Sequence, residues 1–426
     1  MRISTLSQTV LVALLLCLAG CGGGGGGGGS GAAAFSAGPI TADTTTTSSA
    51  PPQPIALTNV LPVTVDGGPA GFANVNIPYV SVTICVPGSA ACQTIDHVVV
   101  DTGSTGLRVV ASVLNAALAL PRQTDGGGNS LAECAVFADG FAWGAVRLAD
   151  VQLGGASASS IPIQIIGDPA FPQIPTTCSS RGPAEDTVQK LGGNGVLGVG
   201  AFLEDCGLAC AHGPIPAAYY TCPTGGCQPV AVSLARQVQN PVAQLDSDNN
   251  GVVLDLPAVP ASGTASVSGS LILGIGTQSN NALGGAIRYD LDSSGNFTTV
   301  FNNRTVTAFL DSGSNALFFA SASTPVCRAA VAGAGFYCPV APLALTALIQ
   351  GAGNGANASV NFSVANADTL FSGNPGFAAF NNLAGPAFGA GATFDWGLPF
   401  FYGRRVYTAF DQRSTPPVGV GPYVAF

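Results

Sequence analysis

Asp101 stands in VVVDTGSTGLRVV, residues 98 to 110, and Asp311 in AFLDSGSNALFF, residues 308 to 319. Both follow apolar runs, and both fit the form Asp-[Ser/Thr]-Gly-Ser-x-x-Leu. A strand buried on both faces is apolar throughout, and a carboxylate at its end must be satisfied by hydrogen bonds. Gly103 and Gly313 let the backbone approach closely enough for amide N–H groups to reach the acids. Thr102 and Ser312 supply hydroxyls able to bond across to an opposing loop, and Ser104 and Ser314 complete the turns. Two carboxyls about 3 Å apart cannot both ionise, so they share a proton and divide into acid and base. The base can take a proton from water while the acid protonates a carbonyl oxygen, which hydrolyses an amide without metal or covalent intermediate.

The elements that would position these acids also occur twice. Gly195-Val-Leu-Gly-Val-Gly200 follows the first, and Trp396-Gly-Leu-Pro-Phe-Phe401 follows the second. The intervals, 97 residues from Asp101 to Gly198 and 86 from Asp311 to Gly397, are close. Two lobes of related plan are the simplest account. Short β-branched runs between Gly, Asn and Pro clusters predict an all-β body, with a first lobe over residues 55–242 and a second over 243–426.

Residues 1–20 have a basic start at Arg2, an apolar core from Val10 to Leu18 and small residues before Cys21, the pattern of a secretory signal. Leu18-Ala19-Gly20-Cys21 is similar to the bacterial lipobox, which implies lipidation of Cys21 and a stable membrane anchor. Residues 21–54 are Gly, Ser, Thr, Ala and Pro with almost no large apolar group, and read as a flexible stalk. No later segment has the roughly 18 unbroken apolar residues of a membrane helix. A net charge of −9 and a single lysine, Lys190, speak against nucleic acid and against an electrostatic membrane patch.

Beyond Cys17 and Cys21, ten cysteines remain in an exported chain, which predicts up to five disulfides. Cys85/Cys92, Cys206/Cys210, Cys222/Cys227 and Cys327/Cys338 could close local loops, leaving Cys134 and Cys178 for each other; spacing alone does not settle connectivity. A zinc site at Cys206, Cys210, Cys222 and Cys227 is disfavoured by the oxidising compartment and the spacing. Asp246-Ser-Asp-Asn-Asn-Gly251 matches the start of a calcium loop, but its twelfth position is Pro257, and a tight turn is the preferred reading. His97 and His212, the two histidines, match no catalytic motif. No metal or cofactor is expected.

With both Asp loops and both companion segments in order, the chain resembles the pepsin-like aspartic peptidases over most of residues 60 to 426. It is also similar to an uncharacterised family of proteobacterial lipoproteins sharing that plan. The resemblance implies a bilobal double-ψ β-barrel architecture with a cleft between the lobes, a catalytic pair Asp101/Asp311, and a peptide or protein in the cleft. It further implies that Val136 to Gly144, with Phe137, Asp139, Gly140 and Trp143, forms a flap over the bound chain. Two departures matter. Phe137-Ala138 stands where the family has Tyr-Gly, and Arg108 where it has the Trp that accompanies that Tyr. Arg108 either packs its stem on Phe137 with its head on Asp139 or in solvent, or sets a cation near the acids; the packing reading is preferred. The expected protein is a monomeric, lipid-anchored peptidase of the bacterial cell envelope, placed at the outer membrane. The alternatives are a non-catalytic binding or envelope-structural lipoprotein on the same fold and, less favoured, a two-carboxylate glycosidase.

Overall fold

The structure, a computed structural model, describes residues 58–387 and 393–426. The signal segment, Cys21 and the stalk lie outside the described residues. Among the described residues no helix is long and apolar enough to cross a membrane.

The first lobe is built on a closed ring of six strands. Phe141–Leu153 pairs with Ala156–Ile166, which runs parallel to Thr105–Val110. Thr105–Val110 lies antiparallel to Gly195–Val199, which runs parallel to Cys92–Asp101. Pro78–Cys85 pairs with Cys92–Asp101 on one side and with Phe141–Leu153 on the other, closing the ring. Every residue of Thr105–Val110 and Gly195–Val199 is buried. That is why these segments read as unbroken apolar runs and not as alternating ones. Val98, Val100, Leu107, Val109, Leu197 and Val199 join one core, each contributing roughly 1.5–3 kcal/mol by burial.

The second lobe repeats the central arrangement in an open sheet of seven strands. Arg304–Leu310 runs parallel to Thr393–Trp396, which is antiparallel to Leu317–Phe318, which in turn is parallel to Ala384–Gly385. Phe297–Phe301, Leu343–Gln350 and Asn357–Val364 extend the other side. Its core is aromatic. Phe394 stacks on Trp396 at 4.3 Å and on Phe319 at 5.0 Å, and the Trp396 indole donates to Thr299 Oγ1 at 2.9 Å. Phe400, Phe401 and Tyr402 are also buried. This packing fixes the strand that runs behind Asp311.

A third set of strands draws on both halves of the chain. Val60–Val65 pairs with Val267–Leu273, which continues through Gly251–Leu256 and Arg404–Ala409 to Tyr423–Ala425. The Asp246–Gly251 stretch is a turn leading into this sheet. Asp248 accepts hydrogen bonds from Thr277 and Gln278, and Asn250 bonds Ile275 and Ser414.

Five disulfides join Cys85–Cys92, Cys134–Cys178, Cys206–Cys210, Cys222–Cys227 and Cys327–Cys338. Four close short loops. Cys134–Cys178 spans 44 residues and ties the strand Ser130–Val136 to the short helix Thr176–Ser179. By loop-closure entropy it contributes on the order of 4 kcal/mol, about twice what the shortest loops contribute.

Candidate functional site

The register of the two lobes sets equivalent residues in equivalent places. Asp101 lies beside Gly198 on the parallel neighbour, and Leu310 beside Trp396, so Asp311 adjoins Gly397. Both glycines are required by space. A Cβ on Gly198 would lie 2.7 Å from the Thr105 nitrogen, and one on Gly397 would lie 2.1 Å from the Ala316 oxygen.

The two Asp loops meet and hold each other by reciprocal hydrogen bonds. The Thr102 amide donates to Ser312 Oγ at 3.1 Å, and the Ser312 amide donates to Thr102 Oγ1 at 2.9 Å. Each hydroxyl then donates onward to the opposite strand: Thr102 to the Leu310 carbonyl at 3.1 Å, Ser312 to the Val100 carbonyl at 2.7 Å. Each of these buried hydroxyls thus both accepts one hydrogen bond and donates one.

Within each loop the carboxylate is met by its own turn. Asp101 Oδ1 accepts from the Gly103 amide at 2.8 Å and Oδ2 from the Ser104 hydroxyl at 2.5 Å. Asp311 Oδ1 accepts from the Gly313 amide at 2.8 Å and Oδ2 from the Ser314 hydroxyl at 2.8 Å. The two carboxyls lie within hydrogen-bonding reach of each other, closer than the roughly 5–9.5 Å that suits paired carboxyls in sugar hydrolysis. The loops interlock so tightly that a Cβ on Gly103 would stand 2.6 Å from Asp311 Cγ, and one on Gly313 2.8 Å from Asp101 Oδ1. Burial, then the charge of Asp311 and its hydrogen bond, push the Asp101 pKa from 3.8 up to about 7, against the pull of Ser104 and Gly103.

These acids line a cleft of about 240 Å³ together with Val99, Val196, Leu191 and the tip of the Ser130–Val136/Phe141–Leu153 hairpin. Phe137, Ala138 and Asp139 of the tip face it. The Phe137 amide donates to the Gly140 carbonyl at 2.8 Å, closing the turn. Gly140 is held against the following loop, where a Cβ would come within 2.4 Å of the Pro183 oxygen. Trp143 sits below the tip, buried against Tyr220, and its Nε1 donates to the Phe171 carbonyl at 3.0 Å. It anchors the hairpin and does not line the cleft. A second cavity of about 210 Å³ shares Gly103, Ser104 and Phe309 with the first and continues past Gly200, Phe202, Leu291 and Gly295.

Arg108 has neither of its expected environments. Its side chain is buried, its head group donates to Glu133 at 2.5 Å, to Asp205 at 3.0 Å and to the Thr105 carbonyl at 2.6 Å, and it does not line the cleft. Burial works against the guanidinium charge, but Glu133 and Asp205 outweigh it and hold its pKa above the ordinary value. Asp205, pushed well up by burial and by Glu133, also accepts from the Tyr219 hydroxyl at 2.5 Å. The cation is thus matched inside the first lobe, and the influences on Asp101 are its burial, Asp311, Ser104 and Gly103. His97 packs edge-on to Tyr79 and pairs with Asp96, and His212 ends the short helix Leu208–His212 beside the Cys206–Cys210 bridge.

Three acids near these groups have no counterpart in the motif reading: the buried Glu133 and Asp395, and Asp205, whose side chain is 11% exposed. Asp395 carries the one signal that sequence offered, an acid inside the apolar run Phe394 to Phe401.

The pairing of strands and the meeting of the two loops define a bilobal, all-β protein of pepsin-like plan. Residues 56–426 match the family described as "Protein of unknown function (DUF3443)", and the chain belongs to it. No curated protein matches the chain. Among solved structures, the crystal structure of aspartic proteinase from Irpex lacteus matches with a TM-score of 0.49 and 16% identity, over 86% of this chain and 96% of that one.

Two predictions follow from the electrostatics. Because Asp101 binds its proton more tightly when folded, the folded state holds more protons between pH 3.8 and about 7, and stability contributed by that proton is lost as pH rises through this window. Thermal unfolding of Asp101→Asn should therefore show a shallower fall from pH 4 to 7 than the parent chain; an identical slope contradicts the shared burial. Arg108→Met strands Glu133 and Asp205 and should lower stability by about 3–5 kcal/mol in urea unfolding. A neutral result would mean that the buried acids are not paired with it.

Proposed function

We propose that this chain is a lipid-anchored aspartic endopeptidase of pepsin-like plan, hydrolysing peptide bonds through Asp101 and Asp311. The observation that carries the reading is the contact of the two carboxyls, each held by its own loop and both held together by Thr102 and Ser312. With one proton between them, the ionised carboxylate takes a proton from water, whose oxygen attacks the peptide carbonyl carbon. The other acid gives its proton to the carbonyl oxygen. Collapse of the resulting gem-diol breaks the C–N bond as the departing nitrogen is protonated. The matched charge of Arg108 supports this reading over a purely binding role, since among the described residues no ion pair is formed with Asp101 or Asp311. Two cavities meeting at Gly103, Ser104 and Phe309 suit an extended chain laid past the acids, under the hairpin tip. Phe137 gives that tip an apolar contact in place of a hydroxyl.

The purified full-length chain should cleave a denatured protein at acidic to mildly acidic pH, and Asp101→Asn or Asp311→Asn should lower kcat by at least about 10²-fold. No cleavage between pH 3 and 8, or cleavage undiminished in either variant, would sink the proposal. The anchor is read from Leu18-Ala-Gly-Cys21 and the polyglycine that follows. In a bacterial host the chain should sediment with the envelope, and Cys21→Ser should release it to the soluble fraction; equal sedimentation of both would remove the lipid from the account.

A further inference from the structure

The two lobes repeat each other around the carboxyls, and at one buried position the repeat fails. In the first lobe Val99 lies beside Val196, two residues before Gly198. In the second Phe309 lies beside Asp395, two residues before Gly397. Val196 is what the interior of such a strand calls for. Asp395 occupies the same place with a carboxyl that is 3% exposed, between Phe394 and Trp396 and opposite Phe318. Among the described residues its Oδ1 has no hydrogen-bond partner. A buried acid with an unmet oxygen costs several kcal/mol if ionised, and much less if it keeps its proton.

The link to the site is Ser314, itself 1% exposed. Its hydroxyl donates to Asp311 Oδ2 at 2.8 Å and lies within hydrogen-bonding reach of the Asp395 carboxyl. A hydroxyl has one proton and two lone pairs. With that proton committed to Asp311, Ser314 can only accept from Asp395, and an acid donates only when protonated. In the first lobe Ser104 makes the same bond to Asp101, at 2.5 Å, but the corresponding neighbour is Val196. The relay is therefore one-sided.

We propose that Asp395 is a positioning residue that keeps a proton through the working pH range and donates it to Ser314, biasing Asp311 to be the ionised member of the pair. Asp101 is then left with the shared proton. This rests on the paired-acid reading above and deepens it, since it assigns the base to Asp311 and the acid to Asp101. The surroundings agree. Burial first, then the charges of Asp311 and Asp101, push the Asp395 pKa well up against the pull of the Ser314 hydroxyl, and the adjoining strands pair Phe309 and Phe318 with it.

Two substitutions separate the possibilities. Asp395→Asn imitates the protonated acid and keeps a donor for Ser314, whereas Asp395→Val copies the first lobe and removes it. The readout is carbon-13 NMR titration of labelled Asp carboxyls in the full-length chain, with signals assigned by their loss in Asp311→Asn and Asp395→Asn. The Asp395 signal should remain protonated above pH 7. The Asp311 midpoint should be unchanged in Asp395→Asn and should rise by about one pH unit, a tenfold loss of its preference for ionising, in Asp395→Val. If Asp395 is ionised, both substitutions remove a neighbouring negative charge and both lower that midpoint, which overturns the proposal, as does a midpoint unmoved by either. Should Asp395→Val fail to fold, the Asp395 signal in the parent chain decides alone: titration below pH 7 overturns the assignment. The test does not depend on cleavage. A parent chain that cuts nothing would refute the peptidase reading and leave the ordering of the acids to be read from the same spectra; a parent chain that cuts should show the acidic limb of kcat/KM displaced upwards in Asp395→Val only.

Discussion

The arrangement depends on four hydrogen bonds made by two small side chains. Thr102 and Ser312 each accept from the other's loop and donate to the other's strand, so neither Asp loop can move without breaking bonds in both lobes. This is a constraint on position more than a large store of energy, since each bond contributes about 1 kcal/mol net. Its effect is to hold two like charges together, which folding alone would avoid. In the proposed mechanism, the proton they share follows from that enforced contact.

The remainder of each lobe serves the same end. Parallel pairing of Cys92–Asp101 with Gly195–Val199, and of Arg304–Leu310 with Thr393–Trp396, places a glycine beside each acid where any side chain would collide. Behind the first acid the lobe is aliphatic; behind the second it is aromatic, with Phe394, Trp396 and Phe319 stacked. The first lobe carries its odd charge at Arg108 and matches it with Glu133 and Asp205. The second places a buried acid, Asp395, where the first has Val196, and no ion pair to it is formed among the described residues. In the proposal, the asymmetry of the pair comes from Asp395 acting through Ser314.

Much of this was legible in the chain because the informative residues are local. An acid, a hydroxyl, a glycine and a serine after a fully apolar run specify a buried turn, and the recurrence of that phrase with a later glycine segment specifies two lobes. What escaped reading lies far apart in sequence. Arg108 finds Glu133 and Asp205, 25 and 97 positions further on, through the strand order of the lobe, which no local pattern encodes. The sheet joining Val60–Val65 to Val267–Leu273 is equally non-local. Asp395 could have been found by laying one half over the other, since it falls where Val196 falls, but within its own strand it looks only like an interruption of an apolar run.

The central claim is that Asp101 and Asp311 act as one proton-sharing unit facing a peptide cleft. The most direct measurement is the binding of a peptide whose scissile bond is replaced by a hydroxyl-bearing isostere, compared between the parent chain and Asp311→Asn at pH 4 to 5. The account predicts binding by the parent chain and a loss of at least about 100-fold in the variant, because the hydroxyl occupies the place of the shared water and bonds both carboxyls. No binding by the folded parent chain, or equal binding by the variant, would contradict it.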